Sequence, residues 1–210
     1  MTINNLLTIS IPVFNNHDLL IDQLNRLKNQ LQKGVIVNVF DNGSIPSIES
    51  VIEEKINDYK DWVTIYVNKI NIGGDANILK CFSQCETKWL WVLSINDTIE
   101  NDAISKILLQ TNSNKKAVLI NFVEGVHVNQ TIGFEDFCKN VPSYSRAFFI
   151  SVCIYNVEIL NKYLFYYNDF LSTNNGQLLL VLKCLEYEGG LCVFPDIKIL
   201  NYETPATWSR

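Results

Sequence analysis

Apolar residues in the first half of the chain alternate between two spacings. Between short runs rich in β-branched residues, apolar positions recur every three or four residues. The runs predict strands over residues 6–14, 35–41, 62–67, 89–95 and 117–123, and the spaced positions predict helices within 19–31, 48–56, 76–85 and 103–108. This alternation indicates βαβ units and a mainly parallel sheet. The strands are apolar along nearly their whole length, as expected for a sheet covered on both faces.

The second half of the chain has a less regular pattern. Its predicted elements are a loop with an edge strand over 124–140, a strand over 148–155, helices over 157–165 and 177–188, and a strand over 191–194. Gly189 and Gly190 terminate the second of these helices. No linker interrupts the chain, so we predict a single α/β domain over residues 1–210. Its second half is expected to cover the open end of the sheet.

The composition is typical of a soluble globular protein. Of the 210 residues, 48% are hydrophobic and 19% are charged, which is enough for a sizeable core. The net charge of −5 argues against nucleic-acid partners, because those attract a basic surface. The longest uncharged apolar stretch, 147–155, is too short to span a bilayer, and the amino terminus does not resemble a signal peptide. We therefore expect a cytoplasmic protein, with at most peripheral association at the inner membrane face.

The six cysteines indicate free thiols. All of them lie within apolar runs, and none is paired with a histidine at a spacing that zinc ligands use. Cysteine in such a context behaves as a small buried apolar residue. The sequence therefore predicts neither a zinc site nor a disulfide framework.

Polar residues stand where three of the predicted strands end. Asn15 follows the first strand, residues 41–44 (Asp-Asn-Gly-Ser) close the second, and residues 94–97 (Ser-Ile-Asn-Asp) close the fourth. Ligands of open α/β sheets bind at the carboxyl ends of parallel strands, where these side chains would converge. Taken alone, the segments after the first and fourth strands favour an ordinary turn, and residues 41–44, which are rich in turn-forming residues, are equally compatible with a turn and with a ligand site.

A pair of glycines opens the helix that follows the third strand. Gly73 and Gly74 precede the helical pattern, and free N–H groups at a helix N-terminus favour an anion. A dinucleotide-binding fingerprint would need the G-x-G-x-x-G spacing after the first strand, and that spacing is absent. The pattern therefore favours a phosphate-bearing ligand and argues against a Rossmann dehydrogenase.

Taken together, four segments resemble the nucleotide-binding half of inverting family 2 glycosyltransferases. They are residues 8–15 (TISIPVFN), 39–44 (VFDNGS), 71–77 (NIGGDAN) and 91–97 (WVLSIND). The resemblance implies a GT-A-like fold, with three α/β/α layers and a mainly parallel central sheet. It also implies a nucleotide-sugar-binding half over residues 1–110 and an acceptor half over 111–210. Many bacterial members of this family build surface polysaccharides.

The resemblance assigns roles to particular residues. Asp41 would recognise the nucleobase, and Asn96 and Asp97 would fall on the acidic triplet that holds the diphosphate or its metal, Mg²⁺ or Mn²⁺. The remaining donor contacts implied by the resemblance are Pro12, Phe14 and Asn15 along the nucleotide, Asn42 beside Asp41, and Asn71, Gly73 and Asn77 on the ribose and phosphate side.

The sequence departs from the family pattern in the metal-binding triplet and at the catalytic base. The triplet usually carries two or three aspartates, whereas Asn96 here replaces a carboxylate, which predicts weaker binding of a hard divalent cation. An inverting transferase also needs a carboxylate that accepts the proton of the attacking hydroxyl. The stretch 174–178, where the family often places this acid, has none. Asp169 is therefore the predicted base, with Tyr166 and Tyr167 beside it as acceptor contacts.

These residues lead to one main hypothesis and two alternatives. The main hypothesis is an inverting glycosyltransferase that moves a sugar from a nucleoside-diphosphate donor to a saccharide or lipid-linked acceptor in bacterial polysaccharide biosynthesis. The first alternative is a non-catalytic module that binds a sugar nucleotide or a glycan, which the missing acids favour. The second is a nucleotidyltransferase of similar fold, although the basic, glycine-rich triphosphate loop expected after the first strand is absent.

Overall fold

The computed structural model describes residues 6–141, 143–171 and 173–201. Within these ranges, eight strands form one sheet in the order β3-β2-β1-β4-β7-β5-β8-β6. The strands are β1 Leu7–Val13, β2 Val35–Asp41, β3 Val63–Val67, β4 Trp89–Val92, β5 Ala117–Asn121, β6 Gln130–Ile132, β7 Cys153–Asn156 and β8 Leu191–Val193. The helices are α1 His17–Lys28, α2 Ile48–Lys55, α3 Gly74–Ser83, α4 Ala103–Ser113, α5 Gly133–Asn140, α6 Tyr144–Ala147, α7 Val157–Leu160, α8 Leu164–Tyr167 and α9 Gly176–Glu188.

The sheet is mainly parallel, as predicted. Strands β1, β2, β3 and β4 pair in parallel, and β7 lies antiparallel between β4 and β5. Strand β8 runs parallel to β5, and the short edge strand β6 runs against it. Six strands therefore point the same way, and their carboxyl ends lie at one edge of the sheet. This is the edge at which polar strand-end residues were expected to converge.

The core is continuous across both faces of the sheet. Six of the seven residues of β1 are buried, as are all four of β4, including Trp89 and Trp91. The helices that cover these faces form two groups. In the first group, α1 contacts α2, and Gln30, just after α1, hydrogen-bonds to Glu100 and Ile104 near the start of α4. In the second group, α3, α5, α8 and α9 pack together. Burial of consecutive strand residues requires a helical layer on each face.

The end of α9 follows the predicted chemistry. Gly189 is the residue after the helix and adopts a left-handed conformation with φ of +64°, which glycine accommodates without steric cost. Gly176 at the start of the same helix packs against the ring of Tyr167, where an added Cβ would lie 2.3 Å from a ring carbon. Glycine is therefore favoured at both ends of α9, at residue 189 by the left-handed conformation and at residue 176 by the close contact with Tyr167.

Three predictions for the second half differ from the structure. The strand expected from residue 148 begins only at Cys153, because the preceding residues form helical turns. The helix expected over 157–165 is divided into α7, a 3-10 turn and α8. Helix α5 was expected to be loop, since Phe137 is its only fully buried apolar residue and supplies little periodicity. Among the helices of the described residues, none combines the length and the apolar character that a membrane span requires.

Candidate nucleotide-sugar site

A cleft of about 410 Å³ opens at the carboxyl edge of the sheet, between the ends of β1, β2 and β4. Its lining residues are Pro12, Val13, Phe14, Asn16, Asn42, Gly74, Asn77, Ile78, Ser94, Ile95, Asn96 and Ile150. The structure thus brings together five of the residues predicted from sequence, namely Pro12, Phe14, Asn42, Asn77 and Asn96. Asn16 and Ile150 are additional members, and Ile150 comes from the second half of the chain.

Asn15 connects two loops at the mouth of this cleft. It adopts a positive φ of 56°, its N–H donates to Ser44 Oγ at 2.9 Å, and its Oδ1 accepts the Ile45 N–H at 2.9 Å. Asn and Asp tolerate the left-handed region better than most residues. The Asn15 side chain is therefore engaged with the β2–α2 loop, while the neighbouring Phe14 is 41% exposed at the cleft.

The structure corrects the role expected for Asp41. Its side chain is completely buried, and its two carboxylate oxygens accept the backbone N–H groups of Ser44 at 2.8 Å and of Ile48 at 3.1 Å. A carboxylate used in this way holds the loop and the start of α2, and it cannot face a nucleobase. Asn42, the next residue, lines the cleft instead. Asn42 is itself only 4% exposed, and its amide bonds to Asn68 and to the loop before α3. Both residues of the pair therefore hold the walls of the cleft.

A network of amide side chains fixes the walls of the cleft. Asn42 donates from Nδ2 to Asn71 Oδ1 at 2.9 Å, and its Oδ1 accepts the Nδ2 of Asn68 at 3.0 Å. Asn68 donates also to Asn77 Oδ1 at 3.0 Å and receives a hydrogen bond from Lys80 Nζ. Asn68 and Lys80 were not predicted. The signal for Asn68 was present, because it directly follows β3 as the other polar residues follow their strands.

The loop before α3 presents the start of a helix to the cleft. Asn71 Oδ1 accepts the Gly73 N–H at 2.9 Å, and Gly73 has a φ of +88° that few other residues adopt. Helix α3 begins at Gly74, which lines the cleft with Asn77. The free N–H groups of this first turn and the helix dipole provide a partial positive charge suited to a phosphate.

Asp97 lies beside the cleft and is held by Ser151. Its Oδ2 accepts the Ser151 hydroxyl at 2.6 Å, and Ser151 Oγ in turn accepts the Ser94 N–H at 2.9 Å. Burial raises the pKa of the Asp97 carboxyl, and the hydrogen bond from Ser151 opposes that rise. Ser151 was not predicted, since nothing in the local sequence distinguishes it from other buried serines.

The residues around Asp97 supply only part of the ligand set that a divalent cation needs. The described residues contain no group of three or more histidine, cysteine or acidic side chains arranged to bind a metal. Asp97 has one oxygen left after its bond to Ser151, and Asn96 is exposed at the cleft and adds an amide oxygen. Mg²⁺ commonly binds through one or two carboxylates together with substrate phosphates. The donor set therefore fits a cation held mainly by the phosphates of a bound ligand.

The residues predicted for the acceptor side lie away from this cleft. Asp169 is exposed on a one-turn 3-10 helix, Asn168–Phe170, and is not among the residues lining the cleft. Tyr167 is fully buried, and burial is the main reason that its pKa is raised, so the expectation that it contacts an acceptor was wrong. Tyr166 packs against Lys183, which lies in the middle of α9. The end of α9 nearer the cleft is its N-terminus, next to Asn174, so Tyr166 is not at that end.

Asp75 connects the two halves of the chain and was not predicted. It is 5% exposed, and its Oδ2 accepts the N–H of Asn174 at 2.8 Å, just before α9. Asp75 therefore brings a carboxylate to the stretch 174–178, where the sequence itself has no acid. Its other oxygen is buried with no hydrogen-bond partner among the described residues.

Comparison with known proteins agrees with this fold. The sequence model for glycosyl transferase family 2 matches residues 8–150, and the chain belongs to this family. A curated relative is the abequosyltransferase RfbV of Salmonella typhimurium, which is 27% identical over 108 residues. That match covers 50% of this chain and 32% of the relative. The chain thus matches about a third of that protein's length.

Solved structures share the fold. A mannosyltransferase from Pyrobaculum calidifontis, in complex with GDP-Man and Mn²⁺, has a TM-score of 0.67 at 12% identity and aligns with 96% of this chain and 58% of its own. TarS 1–349 from S. aureus has a TM-score of 0.68 at 14% identity and aligns with 93% of this chain and 59% of its own. The predicted GT-A-like architecture is confirmed. The chain spans about three fifths of each of these structures.

Proposed function

We propose that this chain forms the nucleotide-sugar-binding domain of an inverting glycosyltransferase that acts in bacterial polysaccharide biosynthesis. Its donor would be a nucleoside-diphosphate sugar, and its acceptor a saccharide or a lipid-linked saccharide. The observation that carries the proposal is the single cleft in which the ends of β1, β2 and β4 meet the N-terminus of α3, in a chain that belongs to glycosyl transferase family 2. Two solved relatives of this fold were obtained with GDP-Man and with UDP-GlcNAc, which supports the donor class.

The donor would lie along the carboxyl edge of the sheet. Phe14, which is 41% exposed, would contact the nucleoside. Asn42 and Asn77 would hold the loop that shapes its ribose side. The N-terminus of α3 would face the diphosphate, whose negative charge it stabilises. Asp97 and Asn96 would bind the phosphate side, where a divalent cation, when bound, neutralises charge on the departing diphosphate.

The reaction requires a proton acceptor on the acceptor side. In an inverting transfer, the acceptor oxygen forms a bond to the anomeric carbon while the bond from that carbon to the phosphate oxygen breaks on the opposite face. The proton of the acceptor hydroxyl passes to a carboxylate. We retain Asp169 as the proposed base, because it precedes the loop before α9 and is the acid nearest in sequence to the stretch 174–178. Asp75 would position that loop through its bond to Asn174.

Calorimetric titration with UDP, GDP, dTDP and CDP, each with and without Mn²⁺, tests the proposal. We expect one nucleotide to bind selectively and Phe14→Ala to weaken it by roughly tenfold, the loss of the ring's contact with the nucleoside. Glu54→Gln on the exposed face of α2 is the matched control and should bind as the parent does. If no nucleotide binds, or if Phe14→Ala binds normally, the proposed donor site is wrong.

A non-catalytic sugar-nucleotide-binding module is the second proposed function. The single aspartate at the end of β4 and the absence of an acid in 174–178 favour it. The two functions are distinguished by incubating the selected nucleotide sugar with the protein and measuring release of the free nucleoside diphosphate. Release above the rate of an Asp97→Asn variant supports the enzyme. Tight binding with no release in the presence of acceptor extracts supports the module.

A further inference from the structure

A cation stands at one end of the buried amide network in the wall of the donor cleft. Asn42, Asn68 and Asn77 are 4%, 7% and 2% exposed, and the Lys80 ammonium donates to Asn68 Oδ1. Lys80 lies in the last turn of α3 and is not among the residues that line the cleft. Within the described residues it forms no ion pair with a carboxylate. Its positive charge is therefore directed to the amide network.

The ammonium determines which way round the Asn68 side chain lies. A lysine ammonium has hydrogen-bond donors and no acceptor, so the Asn68 atom that faces it must be the amide oxygen. The Asn68 Nδ2 group therefore faces the other way, and it donates to Asn42 Oδ1 and to Asn77 Oδ1, each at 3.0 Å. A hydrogen bond from a charged donor is roughly twice as strong as a neutral one. Lys80 thus favours one of the two orientations of the Asn68 amide.

The loop before α3 depends on the same orientation. Asn42 Oδ1 accepts the Ile72 N–H at 3.0 Å, and Asn42 Nδ2 donates to the carbonyl of Gly73 at 3.3 Å. A backbone N–H can only donate and a carbonyl can only accept, so both are satisfied in one orientation of Asn42. An Asn68 amide turned over would place its oxygen against the oxygens of Asn42 and Asn77. The loop conformation is therefore compatible with only one direction of the network.

This network also sets the position of the helix that faces the cleft. The loop leads through Gly73, with a φ of +88°, into Gly74, which begins α3 and lines the cleft. Asn77, the helical residue held by Asn68, donates from Nδ2 to the carbonyl of Phe40 in β2 at 2.9 Å. A change of orientation at Asn68 would therefore reach the first turn of α3, whose free N–H groups suit a phosphate.

We infer that Lys80 is a positioning residue for the donor, and the inference rests on the proposed transferase function. Lys80 holds the Asn68 amide in one orientation, and this amide holds the loop 71–73 and α3 in the geometry that binds a diphosphate. The lysine itself contacts neither the nucleoside nor the phosphates. Its removal should therefore weaken binding of the nucleoside diphosphate more than binding of the free nucleoside.

NMR titration of the isotope-labelled full chain tests the inference, with the nucleoside diphosphate selected by calorimetry and its free nucleoside as ligands. Lys80→Met removes the donor and should weaken the diphosphate by roughly tenfold. Lys80→Arg keeps a charged donor and should restore the affinity to within about twofold of the parent. Asn68→Asp keeps an acceptor for Lys80, removes both N–H donors and should bind as weakly as Lys80→Met.

The matched control is Lys69→Met. Lys69 is an exposed lysine next to Asn68 that takes no part in the network, so its removal takes away the same charge from the same region. Lys69→Met should bind the diphosphate as the parent does. This control separates the network from simple attraction between the phosphates and a positive surface.

The side-chain NH₂ signals of Asn42, Asn68 and Asn77 report the network in the same spectra. They should shift or broaden in Lys80→Met and return in Lys80→Arg. These changes, together with a selective loss of diphosphate affinity at an unchanged thermal midpoint, support the inference.

Four results overturn the inference, and one contradicts the proposed function instead. The four are parent affinity in Lys80→Met, an equal loss in Lys69→Met, an equal loss for nucleoside and diphosphate, and failure of Lys80→Arg to restore binding. If the parent chain itself binds no nucleotide, the proposed donor site is wrong. The parent titration alone therefore distinguishes the two failures.

Discussion

Ser151 donates a hydrogen bond of 2.6 Å to Asp97, across 54 positions of sequence. The serine is fully buried, and the carbonyl of the same residue accepts the indole N–H of Trp91 at 2.8 Å. The carboxylate is thus held by a residue that the core itself fixes. Positioning of this kind matters at a phosphate site, because a flexible carboxylate loses entropy each time it binds.

Replacing Ser151 by alanine should shift the pH dependence of donor binding. The Ser151 hydroxyl lowers the pKa of Asp97 and opposes the rise caused by burial. Its loss leaves the rise unopposed, so the carboxylate becomes ionised at a higher pH than in the parent. As the pH is lowered, we expect Mn²⁺-dependent nucleotide binding to be lost at a higher pH in the variant than in the parent. Titration calorimetry across pH 4–8 measures this, and an unchanged profile would show that the bond does not influence Asp97.

Two controls accompany the Ser151 variant. Ser113→Ala removes a hydroxyl at the end of α4, far from the cleft in sequence and exposed, and should keep the parent profile. Ser151→Thr retains the hydroxyl and should keep the Asp97 pKa if the added methyl group is accommodated. A structural defect alone would lower affinity at every pH without moving the midpoint.

Asp97→Asn should stabilise the fold while it weakens donor binding. A carboxyl whose folded pKa is raised binds its proton more tightly when folded, so its contribution to stability is present at low pH and is lost as pH rises through the folded pKa. The amide carries no charge and avoids that loss. We expect a higher thermal midpoint than the parent at pH 7 and equal midpoints below about pH 3.9, the unfolded value. A lower thermal midpoint at pH 7 would contradict the assignment of burial as the cause of the raised pKa of Asp97.

Asp41→Ala should destabilise the domain and have no specific effect on the nucleotide. Its removal leaves the N–H groups of Ser44 and Ile48 without their buried acceptor. Each unsatisfied group costs about 1–3 kcal/mol, so the free energy of unfolding should fall by roughly 2–6 kcal/mol. Urea unfolding measures the loss, with Asp61→Ala on the surface as the control. Selective loss of nucleotide affinity in a fully folded Asp41→Ala protein would restore the original assignment.

Asp169→Asn should reduce transfer without changing donor affinity. A general base contributes typically a factor of 10² to 10⁴, and kcat should fall by about that amount. Calorimetry with the selected nucleotide should give the parent affinity, because Asp169 does not line the donor cleft. The exposed Asp61→Asn is again the matched control. Transfer at the parent rate would remove Asp169 from the mechanism.

Much of the architecture follows from periodicity. The strands β1 to β5 and the helices between them were predictable because buried strands and amphipathic helices leave different spacings of apolar residues. The second half was less predictable, because α5, α7 and α8 are short and are stabilised by tertiary packing more than by their own periodicity. Family membership was predictable from the four segments 8–15, 39–44, 71–77 and 91–97, all of which carry residues that line the donor cleft.

The sequence by itself determined the order of the elements, the mainly parallel sheet and the edge at which the polar residues meet. Only the tertiary structure decided how each polar side chain is used. It buried Asp41 beneath the β2–α2 loop and bonded Asn42 into the wall of the cleft. It also brought Ser151 to Asp97 and Asp75 to Asn174. The physical reason is that periodicity encodes which face of an element is buried. The partner of a polar group depends instead on which distant segment packs against it, and that information is not local.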